Sequence, residues 1–181
     1  VGAASPHHRF TCGRGRRGFR STAARPKPAA RTPLPPDAAR SRPPAASRAG
    51  LGGGAARAFR QPRADSHCKY LHGYQLKAKF WFESESLDIN HWVVDFGGLK
   101  GLKSTLHQQF DHTTCISADD PEIETFRRLH DLGVCDLRIM TKGTGIERIS
   151  EWCFETANEF VKNMTHNRCW CTQVEVFEHD K

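Results

Sequence analysis

Acidic residues are nearly missing from the first third of this 181-residue chain: residues 1–64 hold 14 Lys and Arg but a single acid, Asp37. Large apolar side chains are almost as scarce there, and nine of the ten prolines lie at or before Pro62. A stretch such as "RPKPAARTPLPPDAARSRPPAASRAGLGGGAAR" buries too little apolar surface to offset the entropy of ordering it, which excludes a core of its own and predicts disorder over residues 1–56. No apolar run approaches the roughly 20 residues of a membrane span, so a membrane partner is not expected. Cysteine is present seven times, an odd number, but without a paired CxxC…CxxC spacing. A disulfide framework is thereby excluded, and with no secretory pattern a reducing, cytoplasmic compartment fits best. The "CWC" at 169–171 sits in a strand-like run, where Cys169 and Cys171 share a face, and reads as two small core residues rather than a metal clip.

The remainder is of opposite charge. Residues 65–181 carry 13 Lys and Arg against 19 Asp and Glu, so the overall +7 averages about +13 on the first part and about −6 on the second. A basic, acid-poor leader is compatible with an organelle transit peptide, with an arm that binds phosphates, or with an extension of no selected function, and the last is the expectation here. The acidic folded part offers no second basic surface, which makes nucleic acid an unexpected partner.

From about residue 57 the pattern becomes regular. "YQLKAKFWFES" (74–84) alternates Tyr74, Leu76, Ala78, Phe80 and Phe82 against polar neighbours, a strand with one buried face. "HWVVDF" (91–96) reads as a second strand. Leu99, Leu102, Leu106 and Phe110 then recur at helical spacing. Asp120-Pro121 predicts a cap and first turn for a short helix that stops at Gly133. "CDLRIM" (135–140) is a further strand. Thr144 and Glu147 have the spacing of a capping box ahead of a helix with Ile146, Ile149, Cys153, Ala157 and Val161 on one stripe. "CWCTQVEVFE" (169–178) ends the series. Strands and helices in this order predict an α+β domain, an antiparallel sheet with helices on one side.

Ionisable residues gather at element edges in three places: "SHCKYLHGY" (66–74), "FDHTTC" (110–115) and "VFEHDK" (176–181). Five segments in order, "CKYLHGY", "WVVDFGGLK", "FDHTTCISADDP", "GTGIERISEWCF" and "VEVFEH", resemble the 6-pyruvoyl-tetrahydropterin synthase / 6-carboxytetrahydropterin synthase family over residues 57–181. The resemblance implies the T-fold, a four-stranded antiparallel sheet with two main helices, and homo-oligomers whose subunits join into a barrel with active sites between them. It implies a small-molecule pterin substrate and assigns roles by position. Cys68 is the base that moves a proton on the substrate side chain. Asp111 and His112 are the pair that works with it from a neighbouring subunit. Glu178 grips the guanidine-like edge of the pterin. His72 is the first histidine of a zinc pair.

Shifting protons along a polyol side chain calls for a Lewis acid on the hydroxyls and a base of suitable strength, which a thiol beside a metal or an imidazolium supplies. A carboxylate accepting two parallel hydrogen bonds is a selective grip on the pterin edge. The metal shell departs from the family pattern. "HGY" replaces His-Gly-His, so Tyr74 stands at a zinc position, and Phe59 stands where the other zinc histidine is expected. The expectation is zinc held by His72, with His67 and Tyr74 as substitute ligands; the alternative is a site without zinc. The implied reaction takes 7,8-dihydroneopterin triphosphate to 6-carboxytetrahydropterin, as in queuosine-type deazapurine synthesis. A 6-pyruvoyl product, and a catalytically weakened pterin-binding or assembly subunit, are the alternatives.

Overall fold

Alternation along Tyr74–Phe82 is realised at the centre of a mixed sheet in the computed structural model, which describes residues 8–12, 18–23 and 44–178. Seven strands, β1 (His8–Cys12), β2 (Gly18–Ala23), β3 (Ala45–Phe59), β4 (His72–Ser84), β5 (Thr113–Ser117), β6 (Leu137–Met140) and β7 (Cys169–Phe177), lie in the order β1-β2-β7-β4-β3-β5-β6. Three helices, α1 (Lys100–Phe110), α2 (Ile123–Asp131) and α3 (Ile146–Met164), complete the α+β fold. Leu102, Leu106 and Phe110 of α1 and Ile149, Cys153, Ala157 and Val161 of α3 bury themselves against Leu76, Phe80 and Phe82 of β4 and Val174 and Val176 of β7. The helical stripes are those the spacing predicts. Among the described residues no helix is long and apolar enough to cross a membrane.

The structure differs from the sequence reading in several places. β3 begins at Ala45, so the expected boundary at 56/57 falls inside a strand, and two further strands, β1 and β2, occupy part of the stretch read as disordered. The other residues of 1–43 lie outside the described residues. Ahead of Arg57 and Phe59, β3 turns small residues to the core, and they stand opposite the large ones of β4: Ala49 pairs with Phe80 and Ser47 with Phe82. An Ala/Gly-rich strand is invisible to a hydrophobic-alternation test yet fits beside aromatic neighbours.

The sheet is not purely antiparallel. β3 runs parallel to β5, and β5 parallel to β6, with α2 forming the crossover of a βαβ unit. β5 is buried at all five positions and shows no alternation to read.

Residues 91–96 are not a strand. The Asp88 carboxylate accepts the amides of Asn90 (2.8 Å) and Trp92 (2.9 Å), and His91 takes a left-handed φ of 63°, so the chain turns instead of extending.

Thr144 does not box the start of α3, because its hydroxyl donates to the Arg60 carbonyl at 2.6 Å and Gly145 occupies the cap position. Nor does Asp120 cap α2 as expected: its carboxylate accepts the Glu122 amide at 2.8 Å in a turn ahead of the helix, which begins at Ile123 with Glu122 at the cap position. Gly133 ends α2 with φ +71°.

Candidate active site

The end of β3 and the start of β4 are paired so that Phe59 faces His72 and Arg57 faces Tyr74. On this shared face the ring centres of Phe59 and His72 are 4.4 Å apart, those of His72 and Tyr74 5.3 Å, and those of Phe59 and Tyr74 6.0 Å. Positions 59, 72 and 74 therefore converge, as the resemblance requires. His72 Nδ1 lies 2.7 Å from the Tyr70 carbonyl, which it reaches as an N–H donor, leaving Nε2 as a buried acceptor with no protein partner. The connection between the two strands carries a short 3-10 turn, His67–Lys69, pinned by the Gln61 amide donating to the Cys68 carbonyl at 2.8 Å. Cys68 is half-buried there, while His67 is exposed.

Arg57 is the residue that sequence reasoning missed. Its side chain is fully buried. The guanidinium carbon stands 3.9 Å from the centre of the Phe59 ring, a cation–π contact. Both terminal nitrogens donate to the Thr144 carbonyl, at 3.2 and 3.3 Å, and one lies 3.9 Å from the carboxylate of Glu178, itself buried at the end of β7. Burial lowers the guanidinium's pKa, with the neighbouring Cys115 thiol and Glu178 opposing that shift. The signal that could have found it is parity: once residues 55–59 are seen as a strand, Arg57 shares the core face with Phe59.

Asp111 and His112 follow α1 and clasp the same strand from its edge. Asp111 accepts the Ala56 amide at 3.1 Å, and the His112 amide donates to the Ala56 carbonyl at 2.7 Å. That backbone bond, ahead of the partial desolvation that opposes it and of the His112 contact, holds the Asp111 carboxyl below the usual carboxylate range. Two imidazoles flank it, His112 Nδ1 at 3.3 Å and His107 Nδ1 at 3.5 Å. His112 sits at φ 56° with its ring exposed, bordering an open groove with Arg57, Tyr74, Val134 and Asp136. Cys68 and Glu178 do not line that groove. In one chain the expected proton-transfer residues thus form two groups, Cys68 on the 59/72/74 side and Asp111–His112 at the strand edge.

A family model described as 6-pyruvoyl tetrahydropterin synthase matches residues 55–181. The chain belongs to the 6-pyruvoyl tetrahydropterin synthase family. Members of this family are pterin-synthase-type lyases. Among solved structures, the chain is similar to an uncharacterized protein from Wolinella succinogenes, at a TM-score of 0.63 and 19% identity over 76% of this chain and 95% of that one. It is also similar to 6-pyruvoyltetrahydropterin synthase from Plasmodium vivax, in a variant with its catalytic glutamate changed to cysteine (TM-score 0.57, 15% identity, 76% and 93% covered). A third is the corresponding synthase of Plasmodium falciparum (TM-score 0.54, 14% identity, 75% and 91% covered). Identities this low speak for the fold. No curated protein matches the chain.

The donor set of this family member does not fit a catalytic zinc ion. Such a site keeps three protein ligands and one open position. His72 Nε2, buried and unpartnered, is one suitable donor. Phe59 has no lone pair, Tyr74 offers only a phenol, and among the described residues no three His, Cys, Asp or Glu side chains are grouped to hold a metal.

Proposed function

We propose that this chain acts on 7,8-dihydroneopterin triphosphate as a lyase of the 6-carboxytetrahydropterin synthase type, releasing triphosphate and acetaldehyde. The observation that carries the reading is the placement of Glu178. A carboxylate buried at the end of the last strand, with its nearest cation among the described residues, Arg57, 3.9 Å away and so beyond hydrogen-bond length, keeps acceptor capacity for the amide and amine edge of a pterin. Cys68, half-buried on the turn beside the 59/72/74 cluster, is the candidate base on the substrate side chain. Asp111, kept ionised by the Ala56 amide, orients His112, whose exposed ring is the second proton carrier. The two groups complete one another when a second copy of the chain brings its His112 to this chain's Cys68, so the functional unit is a homo-oligomer.

The test is turnover of 7,8-dihydroneopterin triphosphate with separation of the 6-carboxy and 6-pyruvoyl products. Wild type is expected to give the 6-carboxy product, and Cys68→Ala to lose turnover by about a hundredfold or more while still binding pterin. Glu178→Ala is expected to lose pterin binding itself. A 6-pyruvoyl product would move the chain to the other branch of the family.

One observation favours a second reading, a pterin-binding or assembly subunit with weakened catalysis: two of the three metal positions hold Phe59 and Tyr74. Under that reading the wild type binds pterin with a dependence on Glu178 and turns over nothing.

A further inference from the structure

Arg57 stands where its neighbours make a charge least expected. Ala56 and Ala58 flank it along β3, Phe59 covers it, and its side chain has no exposure. Guanidinium groups stay protonated in proteins, so this one has to be matched by acceptors where it lies. The Thr144 carbonyl takes two of its N–H bonds, Glu178 supplies the negative charge, and Nε is left buried without a partner. The Cys115 thiol, also buried, is a further polar neighbour.

We infer that this family member's site works without a bound metal, and that the Arg57 guanidinium is its fixed positive charge, holding Glu178 in place. Three features of the site point the same way. Phe59 removes a donor and gives its ring face to the guanidinium at 3.9 Å. The same ring stands 4.4 Å from His72, so a dication on His72 would lie beside a buried cation in a weakly screened interior. His72 Nε2 is left as the one imidazole donor among the three positions, too few for a catalytic metal site. Arg57, being buried, does not touch substrate; it is a positioning residue that acts through Glu178. The pterin as ligand is taken from the functional reading above, whereas the metal independence is not.

Two measurements on the purified full chain test it. Titration of the wild type with Co(II), followed by visible absorption, is expected to give no tetrahedral ligand-field bands, and metal analysis to find zinc well below one per chain. Phe59→His/Tyr74→His with Arg57→Ala is expected to gain those bands. One equivalent of metal in the wild type, lost in His72→Ala, would overturn the inference. Pterin binding, followed by fluorescence of a reduced pterin without triphosphate, is expected to be unchanged by chelator. It is expected to weaken about tenfold in Arg57→Met, with partial recovery in Arg57→Lys. Wild-type affinity in a folded Arg57→Met chain would sink the positioning role. The cobalt titration needs no variant that must fold, and a wild type that binds no pterin at all would defeat the functional reading while the titration still decided this one.

Discussion

Cys153, Cys169 and Cys171 are packed among the apolar side chains of α3 and β7, and burial pushes their thiols up to about 12, about 11 and about 12. Cys115 moves the same way, because desolvation outweighs the nearby Arg57 charge. Cys68 and Cys135 are only half-buried. Short alkylation of the native chain at pH 8, read by peptide mass spectrometry, is therefore expected to modify Cys68 and Cys135 and to spare Cys115, Cys153, Cys169 and Cys171. Labelling of Cys169 or Cys171 at a comparable rate would contradict their core placement. Linkage gives the same residues a pH signature. Their folded pKa values are raised, so the stability they support is fully present below the unfolded thiol value near 9. It is lost as pH climbs from there towards 12, since only the unfolded chain ionises in that window. Thermal melts at rising alkaline pH should show Tm falling from about pH 9, and replacing Cys153 by Ala should flatten that fall.

At the scale of elements, Gly133 isolates one backbone effect. It follows α2 in the left-handed region at φ +71°, its amide bonded to the His130 carbonyl at 2.8 Å, and a Cβ there would meet nothing within 4 Å. Gly133→Ala should cost about 1 kcal/mol through conformation alone, visible as a lower midpoint with an unchanged slope in urea. An unchanged midpoint would mean that the α2 stop contributes nothing. This stop, like α1, α3, β4 and β7, was legible in the sequence because periodicity and turn chemistry agree there. β3 and β5 were not legible, for opposite reasons: one has only small residues facing the core ahead of Arg57 and Phe59, the other is buried on every residue. The site divides the same way. Cys68, Asp111, His112 and Glu178 are named by motif order, but Arg57 becomes visible only when β3 is known to be a strand and its parity with Phe59 counts. The segment 91–96 failed because the Asp88 turn captures amides that a strand would have spent on a ladder.

Over the whole molecule, β3 decides where the fold begins. It is an interior strand, antiparallel to β4 from Ala45 to Phe59 and parallel to β5 at its end, and it delivers Arg57 and Phe59 to the site. The composition break near residue 56 invites a truncation at 57. That cut would remove Ala45–Ala56, taking Ala49 and Ala55 out of the core and leaving Phe80, Phe82 and Leu76 without their partners on β3. A chain of residues 57–181 is expected to lack a cooperative thermal transition. One of residues 44–181 keeps β3 whole and should retain the transition, with the β7 edge bared where β2 had paired. Calorimetry on both decides the matter. Cooperative unfolding of the shorter chain would place the start of the domain at the composition break and make the Ala45–Ala56 ladder dispensable. Failure of the shorter chain alone would show that small residues, silent in a hydrophobic plot, are what the aromatic core is built against.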